Sequence, residues 1–187
     1  MSIFKSKGIV LKKVSSQQNT DILYTIFSYD YGKIQASAKI SKKEKTLDLG
    51  NIIDFEIETN KASSKINKIK NIKISSIFLY EDKEYKIIEQ YLKIISTIIK
   101  LSPEGVQISS IFDTIKDINK EVNINYTKLV LAELKILNIL GILQLEDKDQ
   151  TVTKILNFIS KNNSSKIFLL TGIDEIILNK LINKTKV

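Results

Sequence analysis

Apolar and polar residues alternate with a period of two through most of the first 80 positions, which is typical of half-buried β-strands. In the clearest stretch, Ile34, Ala36, Ala38 and Ile40 alternate with polar residues, and a lysine-rich loop follows. Polar or glycine-containing turns separate this run from four others. The pattern predicts strands at Gly8–Val14, Asp21–Phe27, Lys33–Ile40, Asn51–Glu58 and within Lys68–Leu79.

After Tyr80 the hydrophobic period changes to that of an α-helix. Helices are predicted at 84–101, at 103–120 with Ser102 as N-cap, from Asn123 or Asn125 to Gly141, at 152–160, and from a capping box at 171–174 to about 183. The third is apolar almost all round, which predicts a position at the centre of a bundle. Residues 166–170 fit a strand or a helix equally well.

Five strands followed by helices predict an α+β chain with two domains. Residues 1–80 are expected to form a five-stranded Greek-key barrel, for which the OB-fold is the common candidate, and to bind nucleic acid. Residues 81–187 are expected to form an all-helical domain.

The residue types absent from the chain narrow its chemistry. Neither cysteine nor histidine occurs, which excludes disulfides, zinc ligation by these residues and histidine-based acid–base catalysis. No glycine-rich phosphate loop is present. We therefore expect no enzyme activity, no cofactor and no metal. No signal-peptide pattern or long apolar run occurs, so a cytoplasmic protein without membrane contact is predicted.

Charge is unevenly distributed along the chain. All 29 basic residues are lysines. Residues 1–80 contain 14 lysines and 7 acids, a net charge of +7, and residues 81–187 contain 15 lysines and 14 acids, a net charge of +1. The asymmetry comes from a shortage of acids in the first part, which is therefore the electropositive half. Without arginine, bidentate contacts to phosphate or guanine are unavailable, so base-specific recognition is not expected.

Two lysine runs are the candidates for phosphate contact. The first lies on the third strand and in the loop after it, and comprises Lys33, Lys39, Lys42, Lys43 and Lys45. The second lies on and before the fifth strand, and comprises Lys65, Lys68, Lys70 and Lys73. Tyr29 and Tyr31 flank a turn and could stack on bases. A solvated loop and a lysine-protected edge strand are the alternatives for the two runs.

The chain resembles the bacterial recombination mediator family RecO in five short segments, which occur in the family's order. They are Lys7-Gly-Ile-Val-Leu11, Asp21-Ile-Leu-Tyr-Thr-Ile-Phe-Ser28, Gly32-Lys-Ile34, Ala38-Lys39 with a basic loop ending in Thr46-Leu47, and Ala132-Glu-Leu-Lys-Ile-Leu-Asn-Ile-Leu-Gly-Ile-Leu143. The resemblance implies an OB-fold followed by a helical domain. It also implies binding of single- and double-stranded DNA, strand annealing, contact with RecR and with the C-terminal tail of single-strand-binding protein, and indirect action on RecA.

Three departures from the family pattern affect what the resemblance implies. Ile40 stands where the family usually has glycine, and residues 145–153 replace a four-cysteine zinc module, so the helical domain is reduced. Val130 and Leu131 replace basic residues before Glu133, which leaves Lys128 and Lys135 as candidates for the tail-binding site. Two other functions remain open from the residues alone. They are a protein-interaction adaptor whose barrel binds an acidic partner, and an RNA-binding OB-fold protein.

Overall fold

The computed structural model describes residues 2–15, 21–39, 47–59 and 66–186. The chain divides into two compact units, one formed by residues 1–78 and 98–112 and the other by residues 79–97 and 113–187. The first contains five strands: β1 (Ser2–Ser15), β2 (Asp21–Ser28), β3 (Gly32–Lys39), β4 (Ile52–Thr59) and β5 (Asn67–Ser76). All five predicted strands are confirmed, and β1 begins six residues earlier than the sequence pattern indicates.

The strands form a closed barrel in the order β1-β2-β3-β5-β4. All neighbouring pairs are antiparallel except β3 and β5, which are parallel. The long strand β1 pairs with β4 along its first half and with β2 along its second half, with a bulge between Val10 and Lys12. Alternate residues fill the interior, including Tyr24, Ile26 and Ala36. This is the predicted OB-fold architecture.

Residues 98–112 belong to the barrel unit and correct one predicted helix start. Helix α1 (Tyr85–Leu101) ends as predicted, but α2 (Ser109–Lys120) begins six residues after the predicted start at Pro103. The intervening residues do not form a helix, since Glu104 bridges to Lys33 and the amide of Gly105, at a turn, donates to the Lys33 carbonyl at 3.1 Å. Ser102 therefore caps no helix start. Its hydroxyl donates back to the Ile98 carbonyl at 2.5 Å and closes the end of α1.

The second unit contains the remaining helices, α3 (Tyr126–Ile139), α4 (Gln150–Lys161), α5 (Ser164–Ile167) and α6 (Glu175–Lys184). Asn125 is the N-cap of α3 and accepts from the Lys128 amide, which decides between the two predicted caps. The predicted capping box at 171–174 is wrong in detail, because Asp174 itself caps α6 by accepting from the Ile177 amide. Residues 164–167, at the segment that the sequence leaves open, form the short α5. Among the described residues, no helix is long and apolar enough to cross a membrane.

Helix α3 lies at the centre of this unit, as its apolar sequence predicts. It contacts α4, α5 and α6 and buries eight residues. One of them is Glu133, which is 1% exposed. Its carboxylate accepts from Gln90 Nε2 at 2.7 Å, Lys93 Nζ at 3.0 Å and Thr97 Oγ1 at 3.2 Å. A buried carboxylate with three donors is fully compensated, so Glu133 holds α1 and α3 together.

Candidate nucleic-acid interface

The odd-numbered residues of β2 and β3 point away from the barrel interior, and all of them except Thr25 and Phe27 are at least partly exposed. The even-numbered Ile22, Tyr24 and Ile26 of β2, and Ile34, Ala36 and Ala38 of β3, belong to the barrel core. Since side chains alternate across a strand, the residues between them face outward. In OB-folds this surface of the second and third strands is the usual platform for oligonucleotides.

A continuous row of outward residues crosses four strands on this side of the barrel. Val14 of β1 lies opposite Leu23 of β2, Leu23 lies opposite Ser37 of β3, and Ser37 lies opposite Lys68 of β5. Two further outward lysines border the row: Lys12 lies opposite Thr25, and Lys39 lies opposite Asp21. We call this surface the β2–β3 platform, and define it by Lys12, Val14, Leu23, Ser37, Lys39 and Lys68.

The β2–β3 platform has an apolar centre and a basic border. Val14 is 45% exposed and Leu23 is half-buried, whereas the three lysines are exposed. Asp21 faces Lys39, and Glu58 of β4, which pairs with Lys70, lies opposite Lys68, so the three platform lysines outnumber the acids that face them. Four adjacent strands span about 14 Å, which matches roughly four nucleotides at the 3.4 Å spacing of a stacked strand. The surface can therefore hold phosphates at its border and base faces at its centre.

Lys33 has a different environment from the one predicted for it. Its ammonium donates to the carbonyl oxygens of Ile99 at 2.9 Å and Ser102 at 2.6 Å, at the end of α1. The last carbonyls of a helix lack partners within the helix, and a lysine there also interacts favourably with the helix dipole. Lys33 is therefore engaged in capping α1, and we leave it out of the interface.

The two tyrosines predicted to stack on bases lie in packed positions. The ring of Tyr29 meets Phe112 edge-on at 5.4 Å between centroids, and the Lys7 ammonium lies 4.1 Å from the Tyr29 centroid. Tyr31 packs against the barrel core. Both rings are half-buried, so their observed contacts are those of packing residues.

Lysines of the second predicted run lie on the outer face of β5. Lys68, Lys70 and Lys73 are all exposed. In the β4–β5 register Lys73 lies opposite Asp54 and Lys70 lies opposite Glu56, and the Lys70 ammonium forms an ion pair with Glu58. Only Lys68 also borders β3, so it alone of these three joins the β2–β3 platform.

The remaining predicted residues divide into two groups. Lys42, Lys43, Lys45 and Lys65 lie outside the described residues. In the helical unit, Lys128 forms an ion pair with Glu121 at 2.8 Å. Lys135 donates to the carbonyls of Ile159 at 3.0 Å and Ser160 at 3.2 Å, at the end of α4, and its pKa is lowered by desolvation. Both of these ammonium groups have partners within the chain.

Four members of the platform were not predicted from the sequence: Lys12, Val14, Leu23 and Ser37. The signal for Leu23 was present, because the alternation along Asp21–Phe27 puts it on the face opposite Tyr24. For Lys12 and Val14 no local signal was available, since the bulge after Val10 shifts the register of β1. A bulge changes which residues face outward.

Comparison with known families adds one match. Residues 1–78 match the model of the family described as "Recombination protein O N terminal". No curated protein matches the chain. The matched residues contain all five strands of the barrel and every described member of the β2–β3 platform.

Proposed function

We propose that this protein binds single-stranded DNA on the β2–β3 platform and anneals complementary strands, since residues 1–78 match the model of the N-terminal domain of recombination protein O. In recombinational repair it would then help to load recombinase onto DNA coated by single-strand-binding protein. The observation that carries the proposal is the row of outward residues across four strands, with an apolar centre and lysines at its border.

The proposed contacts are of two kinds. Lys12, Lys39 and Lys68 bind phosphates, and Lys42, Lys43 and Lys45, which follow β3 in sequence, extend this contact. Lysine holds phosphate as a point charge and does not read base edges. The apolar side chains of Val14 and Leu23 support base faces. Binding is therefore expected to depend strongly on salt and weakly on sequence.

Annealing follows from the same contacts. Two complementary strands repel each other through their phosphates, and neutralising several phosphates on one strand lowers that repulsion. Since the lysines contact the backbone, the Watson–Crick edges of the bound strand stay accessible to a second strand. The protein thus needs no catalytic group for this function.

The remaining family partners are proposed from the family relationship. They are double-stranded DNA, RecR, the acidic C-terminal tail of single-strand-binding protein and, indirectly, RecA. Lys128 and Lys135 have partners within the helical unit, so an acidic tail that binds there would have to compete with Glu121 or with the end of α4. Fluorescence anisotropy with a labelled acidic tail peptide tests this contact directly.

A salt titration tests DNA binding on the platform. The affinity for a labelled single strand is measured by anisotropy from low to moderate salt for the wild type and for Lys39→Ala with Lys68→Ala. Two lost phosphate contacts are expected to flatten the slope of log K against log salt by about 1.4, at 0.7 per phosphate. Lys154→Ala with Lys161→Ala is the matched control, because both of these lysines are exposed on α4. If the salt slope changed equally in both variants, the affinity would depend only on the net charge of the protein and not on the platform.

Annealing and nucleic-acid preference need separate measurements. Fluorescence energy transfer between labelled complementary strands is expected to show faster annealing with the wild type than with the Lys39/Lys68 variant. If the wild type bound DNA in a salt-dependent way but did not accelerate annealing, the result would favour a DNA-binding adaptor. Tighter binding to an RNA strand of the same sequence would favour the RNA-binding alternative.

A further inference from the structure

The barrel has a second outer surface, formed by β1, β4 and β5, and it contains a cleft of about 900 Å³. A concave surface that bears lysines is a natural groove for a nucleic-acid backbone. Six ionised side chains line this cleft: Lys5, Lys7, Lys73, Asp30, Asp54 and Glu56. Three cations and three anions sum to zero, in contrast to the β2–β3 platform.

The compensation is built into the strand register. Strand β4 lies between β1 and β5, and its outward residues Asp54, Glu56 and Glu58 are all acidic. The rows across the three strands are Lys7–Asp54–Lys73, Lys5–Glu56–Lys70 and Ile3–Glu58–Lys68. Directly opposite side chains have Cβ atoms about 5 Å apart. Asp54 and Glu56 therefore each face a lysine on both sides.

Further contacts hold the acids in place. The Lys70 ammonium pairs with Glu58, and Asn71 Nδ2 donates to Glu56 Oε2 at 2.7 Å. At the edge of the cleft, the Ser6 hydroxyl donates to Asp30 Oδ2 at 2.6 Å. Phosphates that entered the cleft would meet three carboxylates, those of Asp30, Asp54 and Glu56, beside Lys5, Lys7 and Lys73.

We propose that Asp54 and Glu56 are specificity-determining residues that exclude DNA phosphates from this cleft and so confine the strand to the β2–β3 platform. The inference rests on the proposed DNA binding. Like charge repels the phosphate backbone, and the lysines of β1 and β5 attract it only weakly while they face these carboxylates. Confinement to one face keeps the strand from wrapping around the barrel, so its bases remain available for pairing.

Removal of the two charges tests the proposal. Asp54→Asn with Glu56→Gln keeps the shape of both side chains, and it is expected to tighten single-strand binding and to steepen the salt slope by about 1.4, since two positive charges lose their compensating carboxylates at about 0.7 each. The control Glu81→Gln with Asp82→Asn raises the net charge by the same two units at an exposed turn. It is expected to leave the slope unchanged. Thermal unfolding checks that each variant is folded. If the double variant does not fold, Asp54→Asn alone is used, and half of the change in salt slope is then expected.

A further substitution locates the new contacts. Lys73→Ala is expected to leave the slope of the wild type unchanged but to remove about 0.7 of the slope gained by the amide variant. If the wild type binds DNA and the amide variant binds identically, the acids only stabilise the sheet and the proposal is wrong. If only the amide variant binds, the exclusion stands and the proposed function fails. If neither binds, both fail.

Discussion

The two ends of β3 carry the same kind of side chain on the same face and use it differently. At the start of the strand, Lys33 donates to two carbonyls at the end of α1, and the backbone at Gly32 and Lys33 is held against residues 104–106. Toward the other end, Ser37 lies on the β2–β3 platform and Lys39 is exposed. Lys33 and Lys39, six positions apart, therefore differ: the ammonium of Lys33 is bound to the end of a helix, and Lys39 is exposed.

This difference shows that the environment of a lysine depends on what packs beside its strand. The alternation along β3 does not distinguish Lys33 from Lys39, because both residues are on the outward face. Only the return of residues 98–106 to the barrel distinguishes them. The same holds for Lys135, whose ammonium closes the end of α4 in the way that Lys33 closes the end of α1.

The largest expected effect concerns Gly32. Its φ is +66°, and a Cβ there would lie 2.1 Å from the Val106 carbonyl oxygen. The left-handed conformation alone costs roughly 1–2 kcal/mol for alanine, and the backbone overlap adds to it, so Gly32→Ala is expected to lose more than about 3 kcal/mol. Chemical denaturation measures this loss.

Gly105→Ala is the matched control for Gly32→Ala. Gly105 also has a positive φ, of +69°, but its added Cβ would have no atom within 4 Å. It is expected to lose only about 1–2 kcal/mol. Equal losses at the two positions would show that residue 106 does not lie against the start of β3.

The next effect concerns the ammonium of Lys33. Lys33→Met keeps most of the aliphatic stem but removes both hydrogen bonds to the end of α1, and a loss of about 1–3 kcal/mol in unfolding free energy is expected. Lys39→Met is expected to change stability by less than about 0.5 kcal/mol, because Lys39 is exposed. DNA affinity should respond in the opposite way, falling for Lys39→Met and not for Lys33→Met. If DNA affinity fell for both variants, Lys33 would have to be included in the interface.

A smaller effect concerns the loop after β3. Replacing Lys42 and Lys43 by Ala is expected to flatten the single-strand salt slope by about 1.4 and to weaken all sequences equally. Stability should not change. Anisotropy titrations on two unrelated sequences check both points, with the exposed pair Lys154 and Lys161 as control. An unchanged slope would favour the adaptor alternative.

The smallest effect concerns Tyr24, which lies opposite Ala36 at the middle of β3. Its buried hydroxyl has no hydrogen-bond partner among the described residues, and burial, with a smaller contribution from Asp48, raises its pKa to about 12. Tyr24→Phe should therefore change stability at pH 7 by less than about 1 kcal/mol.

The pH dependence of the Tyr24 variant has a defined sign. The folded pKa exceeds the usual value of 10, so the contribution of Tyr24 is complete below pH 10 and is lost as the pH rises toward 12. Tyr24→Phe should gain stability relative to the wild type over this interval. Parallel stability curves for the two proteins between pH 10 and 12 would contradict the pKa shift.

The sequence predicted the elements of this fold better than their contacts. Local alternation was enough for all five strands, and the apolar stripe was enough for α1 and α3. The predicted start of α2 at Pro103 was wrong because proline fits the first turn of a helix, while the pairing of Glu104 with Lys33 depends on contacts 71 residues apart in sequence. Such long-range pairing leaves no local signal.

The candidate site shows the same limit. Lys39 and Lys68 were identified from lysine density, but Lys12 and Val14 depend on a bulge, and the compensation of Lys70 and Lys73 depends on the register of β4 against β5. A shift of one residue in that register would turn the acids of β4 to the other face of the sheet. Sequence therefore predicted which residues carry charge, and the strand pairing determined which charges remain uncompensated.

The capped end of α1 also bears on covalent chemistry. Every side-chain cation of this chain is a primary amine, so acyl donors and amine-reactive labels can in principle neutralise each of them. The half-buried amine of Lys33 is enclosed by two carbonyl oxygens, which hinder the approach of a reagent while the fold persists. The end of α1 therefore protects the Lys33 nitrogen from acylation. Acylation of Lys33 would show that its contact with the helix end had been lost.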